Sequence, residues 1–261
     1  MRTLIATPLV LAITFLVGCG GNSNNGNNGG TTPLLTSGNW SLIAKSAAAP
    51  GTTVYLGGSL TQNGSSISGT LHVDESACYA TSDSVPVTGT IKGTNLTITS
   101  GNIAGQVITA SLVGSGKAVS GTYSISGGCA SGDHGSVTGT WIPNISGTWN
   151  GNILTGSTAV AVKASVTQSS TASANGTYSV VGQMSYTNSP CSTGATVSTG
   201  FIVGDMVYIG AASDDLDGGT GDLEYVGYLD VPSTATKMSG TYWVNSGLCA
   251  GDSKTLHLAK Q

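Results

Sequence analysis

Hydrophobic and polar residues alternate along most of this chain. Around Ile67 the set Ile67, Gly69, Leu71 and Val73 interleaves with Ser68, Thr70 and His72. The same period of two sets Val85, Val87, Gly89 and Ile91 against Thr88, Thr90 and Lys92. It recurs as Val137, Gly139 and Trp141 against Ser136, Thr138 and Thr140. Successive side chains of a strand point to opposite faces, so this pattern predicts antiparallel strands with one face buried and one wet. Beyond the N-terminal segment no stretch repeats with the 3.6-residue period of a helix.

The alternating runs fall into two sets of eight. The first set begins near Trp40, Tyr55, Ile67, Val85, Leu96, Val107, Val119 and Val137, and the second near Trp149, Val160, Asn175, Val197, Met206, Leu223, Met238 and Thr255. The sets resemble one another in sequence: SGNW against SGTW, SLTQ against SVTQ, and SGTY with a following Cys and Gly-Asp in both. The offset is 109 between Trp40 and Trp149 and widens to 119 between Tyr123 and Tyr242. A tandem duplication follows, with repeats at 37–142 and 145–259 and a Pro143-Asn144 joint, each the size of a small domain. The predicted fold class is all-β: two tandem antiparallel eight-stranded up-and-down barrels, since closure removes exposed strand edges. A two-sheet sandwich is the alternative. Val54, Leu56, Leu60, Ile91, Val119 and Tyr123 are expected to point inward, with Gly69, Gly89, Gly121 and Gly139 among them.

Gly38-x-Trp40 and Gly147-x-Trp149 open the first strand of each repeat. In this they resemble lipocalin-like (calycin) barrels. That family's Arg on the final strand has no counterpart, Lys254 being a loose substitute. The resemblance implies an eight-stranded barrel; a barrel of eight strands has room inside for packed side chains or for one small apolar ligand.

The chain has five cysteines. Cys19 stands alone near the N-terminus. Duplication puts one pair in each repeat, which predicts bridges Cys78–Cys129 and Cys191–Cys249. In a meander, loops after odd strands share one barrel end, so each pair can meet across one mouth. Zinc is the competing use of four cysteines, but no Cys-x-x-Cys is present and histidines are few.

The N-terminus, MRTLIATPLVLAITFLVGCGG, has a short basic start and an apolar run too short to span a bilayer. It ends in Leu16-Val17-Gly18-Cys19, which resembles the lipobox of bacterial lipoproteins. The resemblance implies a signal peptide at 1–18, cleavage before Cys19 and lipid on its sulfur (palmitate among the acyl chains). By Gram-negative sorting rules Gly20 after the Cys favours the outer membrane. Residues 19–36 are rich in Gly and Asn and predict a flexible tether.

Charge narrows the function. Charged residues make up 8% of the chain and aromatic ones 6%. Arg2 is the single Arg, leaving seven Lys against twelve acids. Phosphate neutralisation needs a basic field, so no nucleic-acid partner is expected.

Catalytic motifs are absent: there is no Gly-x-Ser-x-Gly and no His-Glu-x-x-His. GSGK at 114–117 lacks the rest of a phosphate loop and reads as a hairpin turn. His72 and His257 fall on polar strand faces, where a solvated ring is expected. Asp133-His134 suggests a dyad, but the second copy has Asp252-Ser253. Seven of the twelve acids lie between Asp205 and Asp230. Within that span SDDLDGGTGDLE resembles an EF-hand loop, with Ser213, Asp215, Asp217 and Glu224 at ligand spacings and Gly218 at the turn. That spacing makes Ca2+ the one candidate cofactor, at Asp215, Asp217 and Glu224. The other reading is an acidic hairpin, inserted at the disulfide end of the second barrel.

The sequence therefore predicts an exported, lipid-anchored, non-enzymatic envelope protein with a protein or small-ligand partner. A carrier barrel is the alternative, and a calcium-binding surface protein or hydrolase comes behind it.

Overall fold

The computed structural model describes residues 35–73, 78, 84–155 and 158–261. The lipobox ending at Cys19 and all of the tether before Leu35 lie outside that set. The described residues form sixteen strands and no helix. The first eight are β1 (Gly38–Ser46), β2 (Thr53–Asn63), β3 (Ser66–Val73), β4 (Ser84–Lys92), β5 (Asn95–Ser100), β6 (Val107–Ser115), β7 (Ala118–Ser126) and β8 (His134–Trp141). The second eight are β9 (Gly147–Thr155), β10 (Thr158–Gln168), β11 (Tyr178–Thr187), β12 (Ser192–Val203), β13 (Met206–Asp215), β14 (Thr220–Leu229), β15 (Lys237–Val244) and β16 (Ser253–Lys260). Each set is a closed antiparallel barrel in sequence order, not a sandwich. Closure comes from pairing β1 with β8 and β16 with β9.

The inward residues of each barrel form one apolar cluster. The outward positions are mostly Ser, Thr and Asn, as in the β7 alternation of Ser120, Thr122 and Ser124 about Val119, Tyr123 and Ile125. A membrane-spanning barrel has the reverse polarity, apolar outside and polar within. These barrels are therefore built for water on the outside.

A repeated device plugs one end. Trp40 and Trp149 are fully buried. Each indole donates to a carbonyl four residues earlier, Trp40 to Thr36 at 2.8 Å and Trp149 to Ile145 at 2.9 Å. A Gln at the C-terminal end of β2 and of β10 accepts from the backbone of the segment before β1 or β9, the penultimate Gln62 from Leu35 at 2.5 Å and the last residue Gln168 from Ile145 at 2.9 Å. This explains why Gly-x-Trp and the Ser-x-Thr-Gln run recur together. Lys254 does not stand in for the lipocalin Arg, because it lies 3.8 Å from Asp252 at the surface. Lys260, at the end of β16, lies 5.8 Å from the centre of the Trp149 ring. Lys117, from the GSGK turn, sits 4.6 Å over Trp141.

The opposite ends carry the disulfides Cys78–Cys129 and Cys191–Cys249. Gln106, fully buried, braces the first by donating to the Cys78 carbonyl at 3.2 Å and accepting from Ala130 at 2.8 Å. The β13–β14 hairpin braces the second: Leu216 donates to the Cys191 carbonyl at 3.0 Å, and Leu248 donates to Asp215 at 2.8 Å. The acidic segment thus lies at the disulfide end.

Both interiors are nearly full. The cavity in the first barrel is about 50 Å3, and that under the second disulfide is also about 50 Å3. A pocket for a small organic ligand needs ~300–1,000 Å3. Strand register explains one difference between the barrels. Ala110 faces Ile98 in the first, and Tyr225 faces Ile209 at the equivalent place in the second. The Tyr225 ring lies so close over Gly227 that a Cβ there would meet its hydroxyl at 2.2 Å, so the strand needs Gly at that point. Burial pushes the Tyr225 phenol well up, and its hydroxyl has no hydrogen-bond partner among the described residues.

Candidate functional site

The period of two breaks in β1 in a telling way. In β1, Asn39 and Ser41 point outward yet are buried, 2% and 5% exposed. The second barrel covers them. The Asn39 amide donates to the Gly204 carbonyl at 2.7 Å and accepts from the Gly204 N–H at 2.8 Å. Ser41 donates to Asp205 Oδ1 at 2.9 Å. Gly204 and Asp205 are the two-residue turn between β12 and β13, since Val203 pairs with Met206. Gly204 has φ +57, the left-handed region that Gly enters freely. Across from it is Gly57 on β2. A Cβ on Gly57 would lie 2.7 Å from the Gly204 nitrogen, so the two backbones touch through absent side chains. Gly176 makes a second such contact, where a Cβ would lie 2.3 Å from the Thr70 carbonyl oxygen.

This docking uses unlike faces of the two copies. Register equates Gly57 with Lys163, Tyr55 with Ala161 and His72 with Ser185. The second barrel therefore lacks the face that the first uses. A head-to-tail contact between such repeats would otherwise propagate. Here Lys163 stands where a bare backbone is required.

Beside the contact lies a crevice of about 710 Å3. One wall is Tyr55, Leu56, Gly57, His72 and Val73; the other is Asn175, Phe201, Val203, Asp205, Met206 and Tyr228. Tyr55 and Tyr228 are 46% and 47% exposed. Phe201 stacks on Tyr208 with ring centres 5.2 Å apart. The Tyr208 hydroxyl donates to Glu224 at 3.0 Å. Burial, then that bond and the charge of Glu224, hold the Tyr208 phenol above its ordinary value.

His72 is not the solvated ring expected from its polar strand face. It is half-buried against the second barrel, and its Nε2 is closed to solvent without a hydrogen-bond partner among the described residues. Burial lowers its pKa below 6.5, and the Asn175 backbone opposes this more weakly. The folded form thus favours the neutral ring, and the unfolded chain takes up a proton first. Stability is complete above pH 6.5 and declines as pH falls through that value toward the lower folded one. Urea midpoints at pH 7.5 and 5.5 should differ less for His72→Gln than for the native chain. An equal drop in both would contradict the assignment.

The other candidate residues do not converge. The segment from Ser213 to Glu224 does not curl around one point. Asp214 pairs with Thr220 and Gly210 with Glu224, so the hairpin ladder carries Glu224 four residues, ~13 Å, along β14 from the turn. Glu224 bonds Tyr208, Asp217 accepts from Gly219 at 3.0 Å, and Asp215 accepts from Ser213 at 3.1 Å as well as from Leu248. Among the described residues no three His, Cys, Asp or Glu side chains gather to hold a metal. Asp133 is not paired with His134 either. It accepts from Ser46 at 2.5 Å and Tyr123 at 2.9 Å, tying the barrel mouth, while His134 bonds the Gly132 carbonyl. His257 is exposed beside Ser239.

Sequence reasoning missed Asn39, Ser41, Gly57, Gly204 and the crevice. A faint signal existed: in the aligned copies a Gly on one β-strand face is replaced by Lys.

No family model and no curated protein matches the chain. Among solved structures it is similar to a "putative outer membrane protein" from Bacteroides fragilis. That likeness has 14% identity, covers 86% of this chain and 97% of the other, and has a TM-score of 0.30. A likeness of that size carries no argument about fold or function, and the topology stands on the strand pairing itself.

Proposed function

We propose that this chain is an exported lipoprotein of the bacterial envelope that works by binding and not by catalysis. The observation that carries the reading is the polarity of the barrels taken with the sequence at Leu16-Val17-Gly18-Cys19. Barrels with apolar interiors and Ser/Thr exteriors have no lipid-facing band of their own. A chain that also carries a lipobox then reaches the membrane through Cys19, with 19–36 as the tether. Two or more acyl chains would make that attachment firm. Gly20 favours the outer membrane.

Binding is favoured over catalysis because Asp133, His134, Asp215, Asp217 and Glu224 are each engaged separately. Carriage of a ligand inside a barrel is disfavoured by interiors of about 50 Å3. The working surface is therefore external, and its partner a protein or a small ligand.

The anchor has a direct test. Expressed in a Gram-negative host with an alkyne fatty acid, the full-length protein should take up label and sediment with membranes. Cys19→Ala should lose both. A native protein whose mature N-terminal peptide carries an unmodified Cys19 would overturn the reading.

A further inference from the structure

The junction crevice has the chemistry of a sugar site. Among the described residues three aromatic side chains are more than a third exposed, Tyr55, Tyr228 and Trp243. Two of the three flank this one crevice, from opposite barrels, and Phe201 also lines the second wall. Aromatic faces carry negative charge density, so they attract the weakly positive C–H faces of a pyranose ring. Tyrosine also offers a large contact at small entropic cost.

The polar groups agree. Asp205 Oδ1 is held by Ser41, and Oδ2 has no partner among the described residues. A carboxylate fixed in this way is an acceptor for sugar hydroxyls. Among the described residues the lining holds no Lys or Arg. A phosphate, sulfate or uronate would meet Asp205 with no counter-charge, so the preferred ligand is uncharged. The volume of about 710 Å3 lies within the ~300–1,000 Å3 range of small-ligand sites. The Asn39–Gly204 bonds fix both walls before any ligand arrives, which lowers the cost of binding.

We propose that the crevice between the two barrels binds an uncharged oligosaccharide, its pyranose faces on Tyr55 and Tyr228 and its hydroxyls on Asp205. This names a ligand class and does not depend on the lipid anchor. Loss of either idea leaves the other standing, because binding is read on purified protein and anchoring on membranes.

The probes are the pentasaccharides of cellulose, starch, mannan and N-acetylchitin, with an oligogalacturonate as the anionic arm and a lysine-rich decapeptide as the protein arm. Titration calorimetry and ligand-observed NMR on the full-length protein supply the readout. At least one neutral pentasaccharide should saturate the protein. Tyr55→Ala and Tyr228→Ala should each weaken it about tenfold. Tyr55→Phe and Tyr228→Phe should retain most of the affinity, because the ring face survives. Trp243→Ala, on another part of the second barrel, should change nothing. Circular dichroism confirms that the variants, all at exposed positions, remain folded. The proposal is overturned if no neutral pentasaccharide binds at about 10 mM. It is also overturned if binding survives both alanine variants, or if the crevice takes the lysine peptide in place of sugar.

Discussion

Removing the Cys191–Cys249 bridge, as Cys191→Ser/Cys249→Ser, lowers the stability of the second barrel by about 4 kcal/mol. The bridge closes a loop of 58 residues, and in the chain-entropy model the unfolded state gains the freedom that closure denied it. The folded mouth also loosens. Leu216 bonds the Cys191 carbonyl, and Leu248, next to Cys249, bonds Asp215. For a domain of this size the loss corresponds to roughly 15–30 °C in Tm. The first barrel should respond similarly to Cys78→Ser/Cys129→Ser, whose loop is 51 residues. Its buried Gln106 still ties the Cys78 and Ala130 backbones together, so its mouth should stay closer to native. Scanning calorimetry of the two double variants reads both effects, and a shift below about 5 °C in either would contradict the stapling role.

Gly57→Lys has the second large effect, on docking and not on folding. The native β2 backbone meets the Gly204 turn with no room for a Cβ. The strand itself tolerates Lys, since Lys163 occupies the same register position in the second barrel. The variant should therefore fold both barrels and release them from each other. Two bonds at Asn39 and one at Ser41 are forfeited. At about 1 kcal/mol each, the loss is ~3 kcal/mol, over a hundredfold in the docking equilibrium. The crevice disappears with it, and its ligand affinity should fall further than in either tyrosine variant.

Much of this architecture was legible in the sequence. Period-two alternation marks each strand, because a barrel with one wet face obeys that rule residue by residue. The duplication leads to the cysteine pairs because each copy carries its own two. The docking was not legible, for a physical reason. Asn39 and Ser41 satisfy the pattern of a wet face, and polarity alone does not say whether water or a peptide group makes the bond. His72 misled in the same way: its strand face is polar, yet the second barrel covers it. In the acidic segment, ligand spacing says nothing about ladder pairing, which continues through Asp214 and Thr220 and carries Glu224 along β14. Asp133 looked like half of a dyad. It is a clamp on Ser46 and Tyr123, contacts that close only once β1, β7 and β8 have come together.

The central claim is that the two barrels form one body whose working surface is their junction. Residual dipolar couplings of backbone amides in a weakly aligning medium measure this without reference to any ligand. Fitted separately, the two barrels of the native protein should give alignment tensors of the same magnitude and orientation, and those of Gly57→Lys should diverge. Native barrels that already give unequal tensors would contradict the account.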